Sequence, residues 1–463
     1  MGNKVGNQTI EFTNKPKIIS NYSIVGEKEG NGNFGDYFDY VLKDDMFGEK
    51  TFEHAERKIL EHAIFSAINK SGLKVSDIEL LIAGDLLNQI ISSAFSARTI
   101  KSSFLGLYGA CSTMGETLGV GAAFIDGGFY NKIACATGSH FSTVERQYRF
   151  PLELGNQRPP TSQWTVTGAG CSILSSDGSG PVVSKATFGK VVDFGVKDVN
   201  NMGSCMAPSS ANSLVAFFED TKTTPEDYDL IVTGDLGKLG SEILLDLMEY
   251  QGYKLGSNYC DCGQMIYSNN QKTFQGGSGA GCSASVFNSY ILRKLRDNEF
   301  NKVLFAPTGA LLSPLSSQQG DSIPGICHVI LVENEYKWRW KQMWFMYLKV
   351  FLVGGFICML GQLLIIRTTI TSSRILVLFV CIGAILEGFD LYDPIIAFAG
   401  AGATVPIMGF GRSLAKGAIE GVKQMGILGA LTGGLTATAG GITASVIFAY
   451  IFALIFSSRT KKY

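Results

Sequence analysis

At 463 residues the chain exceeds one ordinary core and is expected to hold two or three domains. A net charge of -1 and a pI near 6.5 exclude the basic excess that nucleic-acid binding needs. Only 17% of residues are charged, against about 25% in a typical soluble chain.

The deficit is uneven. From Met343 onward the acidic residues are Glu387, Asp390, Asp393 and Glu420 alone, while Gly, Ala, Leu, Ile and Phe dominate. A soluble part is therefore expected to precede a membrane part. The opening MGNKVGNQTIEFTNKPK has no apolar core, so no cleavable signal peptide is expected and the soluble part should lie in the cytosol. Ten cysteines occur singly or as Cys260-Asp261-Cys262, without disulfide spacing or a second pair at zinc spacing. Buried, reduced thiols and no metal or cofactor are the expectation.

In chain order, TFEHAERKILEHAIFSAINKSG predicts a helix with Ala55, Ile59, Ala63 and Ala67 on one face and Gly72 as its stop. IELLIAGDLLNQ predicts a buried strand ending at Gly-Asp-Leu. GLYGACSTMGETLGVGAAFIDGG is a glycine-rich turn opening onto a helix, with Cys111 at its start, and NKIACATG is a second strand. The same order then recurs. ANSLVAFFEDTKTTPEDYDL is a helical pattern ended by Pro225, and YDLIVTGDLGKL repeats the strand with its Gly-Asp-Leu stop. FQGGSGAGCSASVFNSYILRKL repeats the glycine turn and helix, and NKVLFAPTG the second strand. Two copies of one order imply a duplicated pair of α/β halves, about 1–185 and 186–334.

This arrangement resembles the thiolase superfamily, whose halves stack as five αβαβα layers. The resemblance implies that the two glycine-turn helices start near each other and that Cys111 stands where the family keeps its acyl-accepting cysteine. A helix start favours thiolate there. A condensing enzyme also needs a base and oxyanion donors. The four histidines are His54, His62, His140 and His328, and none lies between 141 and 327. Where the resemblance places a first base the chain reads YCDCGQMIY, with Asp261. Where it places a second the chain reads FQGGSGAGCSA, with Gly276 and Gly277. The catalytic set is therefore expected to be broken. His54 and His62 read as surface or boundary residues, His328 as a core residue, and His140 as a possible pocket wall, since it follows a strand. What remains is a binding site, in which two helix starts aim backbone N–H groups at a small anion, particularly a carboxylate.

Three longer strings narrow the resemblance: ERQYRFPLELGNQRPPTSQWTVTGAG, GKVVDFGVKDVNNMGSCMAP and TPEDYDLIVTGDLGKLG. They resemble the stage V sporulation protein AD family, thiolase-fold proteins of spore-forming bacteria associated with dipicolinic acid uptake. The resemblance implies pyridine-2,6-dicarboxylate as ligand, free or as its calcium chelate. The expected ligand-binding residues are Cys111, Ser112, Ser139, His140, Gly277, Ser278 and Gly309. Arg146 and Arg149 are read as solvated.

After a linker at 335–342, residues 343–463 are expected to form an all-α transmembrane domain with three or four spans. The candidates are 343–366, 374–392, 395–411 and 425–456. Trp338, Trp340 and Trp344 with Lys337, Arg339 and Lys341 form an aromatic and basic collar at the entrance. Pro406 and the glycines of 395–411 suit a broken segment, and Glu387 a polar position within the membrane. The string GFDLYDPIIAFAGAGATVPIMGFGRSLAKGA resembles the stage V sporulation protein AE family, normally a separate chain. Together the resemblances imply a non-catalytic transport component of the spore inner membrane. Its expected partners are dipicolinate, the lipid bilayer and other membrane subunits. The rival reading is a membrane-anchored acyl-thioester transferase or condensing enzyme in which Cys111 works with His140.

Overall fold

The structure is a computed structural model that describes residues 2–149, 152 and 157–455. The chain divides into two compact units, Met1–Lys337 and Trp338–Tyr463.

In the first unit one pattern occurs twice. The first half runs β1 (Lys17–Val25), α1 (Phe52–Lys70), β2 (Leu80–Gly84), α2 (Ile91–Ile100), β3 (Ser103–Gly106), α3 (Thr113–Asp126), β4 (Lys132–Ser139), α4 (Phe141–Tyr148) and β5 (Gly168–Ser175). The second runs β6 (Val182–Thr187), α5 (Met202–Thr221), β7 (Leu230–Thr233), α6 (Gly237–Tyr250), β8 (Tyr259–Asp261), α7 (Ala280–Val286), β9 (Lys302–Ala306), α8 (Pro314–Gln318) and β10 (Val329–Glu333). Helix α7 continues through a π turn at Phe287–Ile291 into Leu292–Arg296. Across the sheet the strands lie in the order β3-β2-β4-β5-β1 in one half and β8-β7-β9-β10-β6 in the other. In each half the last strand is antiparallel to both its neighbours, and the other pairs are parallel. Identical order with identical polarity establishes the duplication. The halves divide between Ser175 and Val182, slightly before the expected 185, because β6 is the first strand of the second sheet.

The layers follow from which faces are apolar. Met114, Leu118, Ala122 and Ile125 of α3 share one core with Ala284, Val286, Phe287 and Ile291 of the α7 segment, between the two sheets. Ile59, Leu60, Ala63 and Ile64 of α1 cover the outer face of the first sheet. Leu214, Phe217 and Phe218 of α5 with Leu244 and Met248 of α6 cover that of the second. This is the five-layer αβαβα arrangement. The central layer is tight: a Cβ at Gly170 of β5 would lie 2.3 Å from the Ala284 carbonyl oxygen of α7.

The second unit is helical: α9 (Glu335–Arg367), α10 (Ser372–Gly388), α11 (Asp393–Ala399), α12 (Ala401–Thr404), α13 (Ile407–Met425) and α14 (Ile427–Ile455). Residues 335–342, expected as a linker, are the start of α9 rather than an irregular segment. Among the described residues one helix, Trp344–Arg367, is long and apolar enough to cross a membrane, with mean hydropathy 2.1; Ile427–Gly440 is a shorter apolar stretch. The segment 395–411 is broken as expected. Gly400, at φ 52, separates α11 from α12, and Pro406 precedes α13. Glu387 is 5% exposed and meets Arg412 at 3.1 Å, while Arg412 reaches Asp393 at 2.6 Å. Phe456 and the tail 459–463 lie outside the described residues.

Gly170→Ala is expected to destabilise the soluble unit by about 1–3 kcal/mol, because the new methyl meets backbone rather than a movable side chain. Thermal unfolding followed by circular dichroism checks this; an unchanged midpoint would contradict the close approach of β5 and α7.

Candidate functional site

Cys111 lies in the short turn Ala110–Ser112 that opens α3, after Ala110 at φ 50. The start of α7 comes alongside, with Ser283 Oγ donating to the Cys111 carbonyl at 3.4 Å. Gly309 backs the turn from below, since a Cβ there would lie 2.2 Å from the Gly109 carbonyl oxygen. No other residue fits.

The two helix starts do converge, but three of their N–H groups already have acceptors within the protein. Gly279 N–H donates to Asp235 Oδ2 at 3.0 Å, Gly281 N–H to Ser139 Oγ at 3.0 Å, and Ser112 N–H to the Gly109 carbonyl at 3.0 Å. At these three amides the expected cradle of bare N–H groups is filled by the protein's own acceptors.

The polar centre of the site is Asp235, in the turn after β7. It is fully buried and also accepts from Ser278 Oγ at 3.1 Å and Thr308 Oγ1 at 2.9 Å. The Cys111 thiol donates to it as well. Burial pushes the Asp235 carboxyl up to about 7, against the pull of those donors. Burial and the Asp235 charge together push the Cys111 thiol well up. Desolvation thus outweighs the helix start, and the thiolate expected from the helix dipole gives way to a protonated thiol.

A cavity opens beside Cys111. Leu86, Val144, Met202, Met206, Ala310 and Leu312 make it apolar, and Tyr108 and Tyr148 add aromatic faces. Its polar groups are Arg149, Thr165 and Ser278 with the Gly279 backbone. Arg149 caps the C-terminus of α4, and its side chain is 5% exposed. It pairs with buried Glu145, which also takes Arg158 at 3.1 Å. Among the described residues the Arg149 Nε has no hydrogen-bond partner.

Of the expected ligand residues, Cys111 and Ser278 line the cavity. Ser112 Oγ is spent on the Gly109 carbonyl, and Ser139 Oγ on the Val166 carbonyl. Gly277 pairs with Trp164 in a two-residue ladder. His140 does not line the cavity. It is fully buried as the N-cap of α4, its Nδ1 accepting from Ser142 N–H while Nε2 meets the Asp45 carbonyl at 2.8 Å. Asp261 is also elsewhere, capping the turn after β7 through the N–H groups of Leu236 and Gly237. Its place beside the cysteine belongs to Asp235. His328 is a core residue, 5% exposed against Phe188, with burial pushing it down to about 4. Arg146 is at the surface with Glu53, whereas Arg149, one turn on, is inside.

A model of the stage V sporulation protein AD family matches residues 6–333. The chain belongs to this family. Stage V sporulation protein AD of Bacillus subtilis (strain 168) is 43% identical over 329 residues, covering 71% of this chain and 97% of the relative. The SpoVAC/SpoVAEB sporulation membrane protein model matches residues 346–455. Stage V sporulation protein AC of the same organism is 36% identical over 115 residues, 23% of this chain and 77% of the relative. The membrane segment, expected to resemble protein AE, thus matches a family that joins AC with AEB.

Among solved structures, 3-oxoacyl-[acyl-carrier-protein] synthase III from Aquifex aeolicus VF5 is 12% identical, covers 69% of this chain and 99% of its own, and has a TM-score of 0.43. Xanthomonas campestris OleA gives 10%, 70%, 99% and 0.46. Human mitochondrial 3-ketoacyl-CoA thiolase gives 10%, 69%, 98% and 0.42. The sporulation protein AD part has the duplicated five-layer topology described above.

Because its thiol is held protonated, Cys111 is expected to alkylate with iodoacetamide at pH 7.5 at least tenfold more slowly than a free thiol. Asp235→Asn removes one of the two causes and should speed the reaction several-fold. Peptide mass spectrometry reads both rates, and fast labelling of the native thiol would contradict this electrostatic account.

Proposed function

We propose that the thiolase-like unit binds dipicolinate in the cavity beside Cys111, and that the chain takes part in moving it across a spore membrane during sporulation and germination. In this reading it acts at the spore inner membrane with other membrane subunits, its soluble domain on the cytosolic side. The observation that carries the reading is Arg149. A buried guanidinium, its Nε without a hydrogen-bond partner among the described residues, belongs to a residue of a largely apolar and aromatic wall. An N–H left bare in such a place is costly, and a carboxylate satisfies it with a charge-assisted bond. Tyr108, Tyr148 and the aliphatic wall suit the faces of a planar ring, while the Thr165 and Ser278 hydroxyls already donate to Glu145 and Asp235.

Binding rather than turnover is supported by the same geometry. The residue behind the cysteine is an acid, not an imidazole, and it raises the thiol's proton affinity. His140 is tied to the backbone at both ring nitrogens. Acyl transfer at Cys111 is the rival, and a covalent adduct after incubation with acyl-CoA would favour it.

Titration calorimetry of the full chain in detergent with pyridine-2,6-dicarboxylate tests the proposal. Arg149→Gln should weaken binding by about 10- to 100-fold, the worth of hydrogen bonds to a charged group. No heat of binding to the native chain would remove the reading.

The pH dependence has a definite sign. With its folded value at about 7 against 3.8, Asp235 is largely protonated at pH 6 and ionised at pH 8. An added negative charge beside the cavity opposes a dianion, so affinity should fall from pH 6 to pH 8. Asp235→Asn should flatten that profile.

A further inference from the structure

The cavity at Cys111 is not isolated. A second, larger cavity lies beside it, walled by residues 87–90, 106–107 and 311–314. The two share three side chains, Tyr108, Tyr148 and Leu312. The tyrosine hydroxyls are 3.1 Å apart, so the rings form one hydrogen-bonded partition. Its two members are held differently. The Tyr148 hydroxyl donates to the Leu86 carbonyl, anchoring that ring to the turn after β2. Tyr108 is 43% exposed and its hydroxyl bonds Tyr148. The outer wall is rigid in an unusual way, because Gln89 and Ile90 are both left-handed, at φ 61 and φ 46. A β-branched residue there is a backbone outlier, kept only where surrounding structure over-determines it.

We propose that Tyr108 and Tyr148 act as a size filter, closing the inner cavity to acids larger than one aromatic ring while the outer cavity admits them. The filter rests on the binding reading above. The inner cavity ends at the tyrosine pair, so a ring fused to the ligand on that side meets Tyr108. Removing the Tyr108 ring joins the two cavities and gives the extra ring a place to lie. Arg149 is untouched by that change, so the carboxylate end of the ligand keeps its contact.

The test uses the full chain in detergent and two probes, pyridine-2,6-dicarboxylate and its benzo-fused analogue isoquinoline-1,3-dicarboxylate, compared by calorimetry. The native chain is expected to prefer the single ring by at least tenfold. Tyr108→Ala should bring the two within about threefold of each other, while single-ring binding itself weakens because the Tyr108 ring is part of the cavity wall. Leu312→Ala, which widens the same partition, should shift the ratio in the same direction and serves if Tyr108→Ala fails to fold. Tyr148→Phe with unchanged discrimination supports a steric filter over a hydroxyl contact to the ligand. Single-ring binding with an unchanged preference in folded Tyr108→Ala or Leu312→Ala overturns the filter alone. Absence of binding of either acid to the native chain overturns the filter and the binding reading together.

Discussion

A carboxyl group buried at the end of β7 holds the site together. Asp235 is fully removed from water and takes the Ser278 hydroxyl, the Gly279 N–H and the Thr308 hydroxyl, which come from the start of α7 and the turn after β9. Each of those donors is itself buried, and each would cost free energy if left unpaired. The carboxyl therefore fixes where three segments of the second half meet, and the Cys111 turn of the first half closes over them. Close approach sets the residue types around it. Gly279 sits at φ 101, and Gly309 has no room for a side chain against the Gly109 carbonyl. A polar knot thus forms the floor of a cavity whose walls are apolar.

The charge in those walls is unbalanced in one direction. Glu145 faces two arginines, Arg149 and Arg158, and all three side chains are largely buried. Arg158 is further engaged, lying 5.1 Å from the Trp164 ring and 5.6 Å from the Phe141 ring, which stack on each other at 4.1 Å. One carboxylate and two aromatic faces occupy one guanidinium and part of the other. Among the described residues the Arg149 Nε is without a hydrogen-bond partner, and Arg149 lines the cavity. Buried cations are ordinarily fully paired. An exception in the wall of a pocket is what the proposed binding of an anion rests on.

The duplication was legible because repeated order survives where repeated residues do not. The Gly-Asp-Leu strands and the two glycine-turn helices occupy equivalent places in the two sheets. Strands β1 and β5 escaped notice. KIISNYSIV is interrupted by polar residues, and GAGCSILS is mostly small, since Gly170 lies against α7. Within the site, the cysteine and Ser278 could be read from the turns that carry them. The identity of the buried acid could not. Asp235 stands in the repeated Gly-Asp-Leu, where Asp85 of the first copy binds the N–H groups of Leu87 and Ser93, a turn-capping role that fits the simpler reading. Only the approach of α7 makes Asp235 different. His140 and Arg149 exchange expectations for a similar reason. They lie at opposite ends of α4, and the packing of that helix decides which end meets the cavity.

The membrane segment shows how pairing hides a helix from hydropathy. Helix α13 carries Arg412, Lys416 and Lys423, which would be expensive in lipid if solitary. Arg412 is instead shared between Glu387 at the end of α10 and Asp393 at the start of α11, and Lys416 lies within 4.0 Å of Glu387 and 3.5 Å of Asp393. Two acids and two bases cancel within one cluster. The helices can approach closely enough for this because their contacts run through glycine. A Cβ at Gly383 would lie 2.0 Å from the Met408 carbonyl oxygen, and one at Gly411 would lie 2.0 Å from that of Val380. Small residues bring the backbones together, the short distance allows the ion pairs, and the ion pairs make charge tolerable inside an apolar unit. The acids that offset Arg412 and Lys416 of α13 thus belong to α10 and α11.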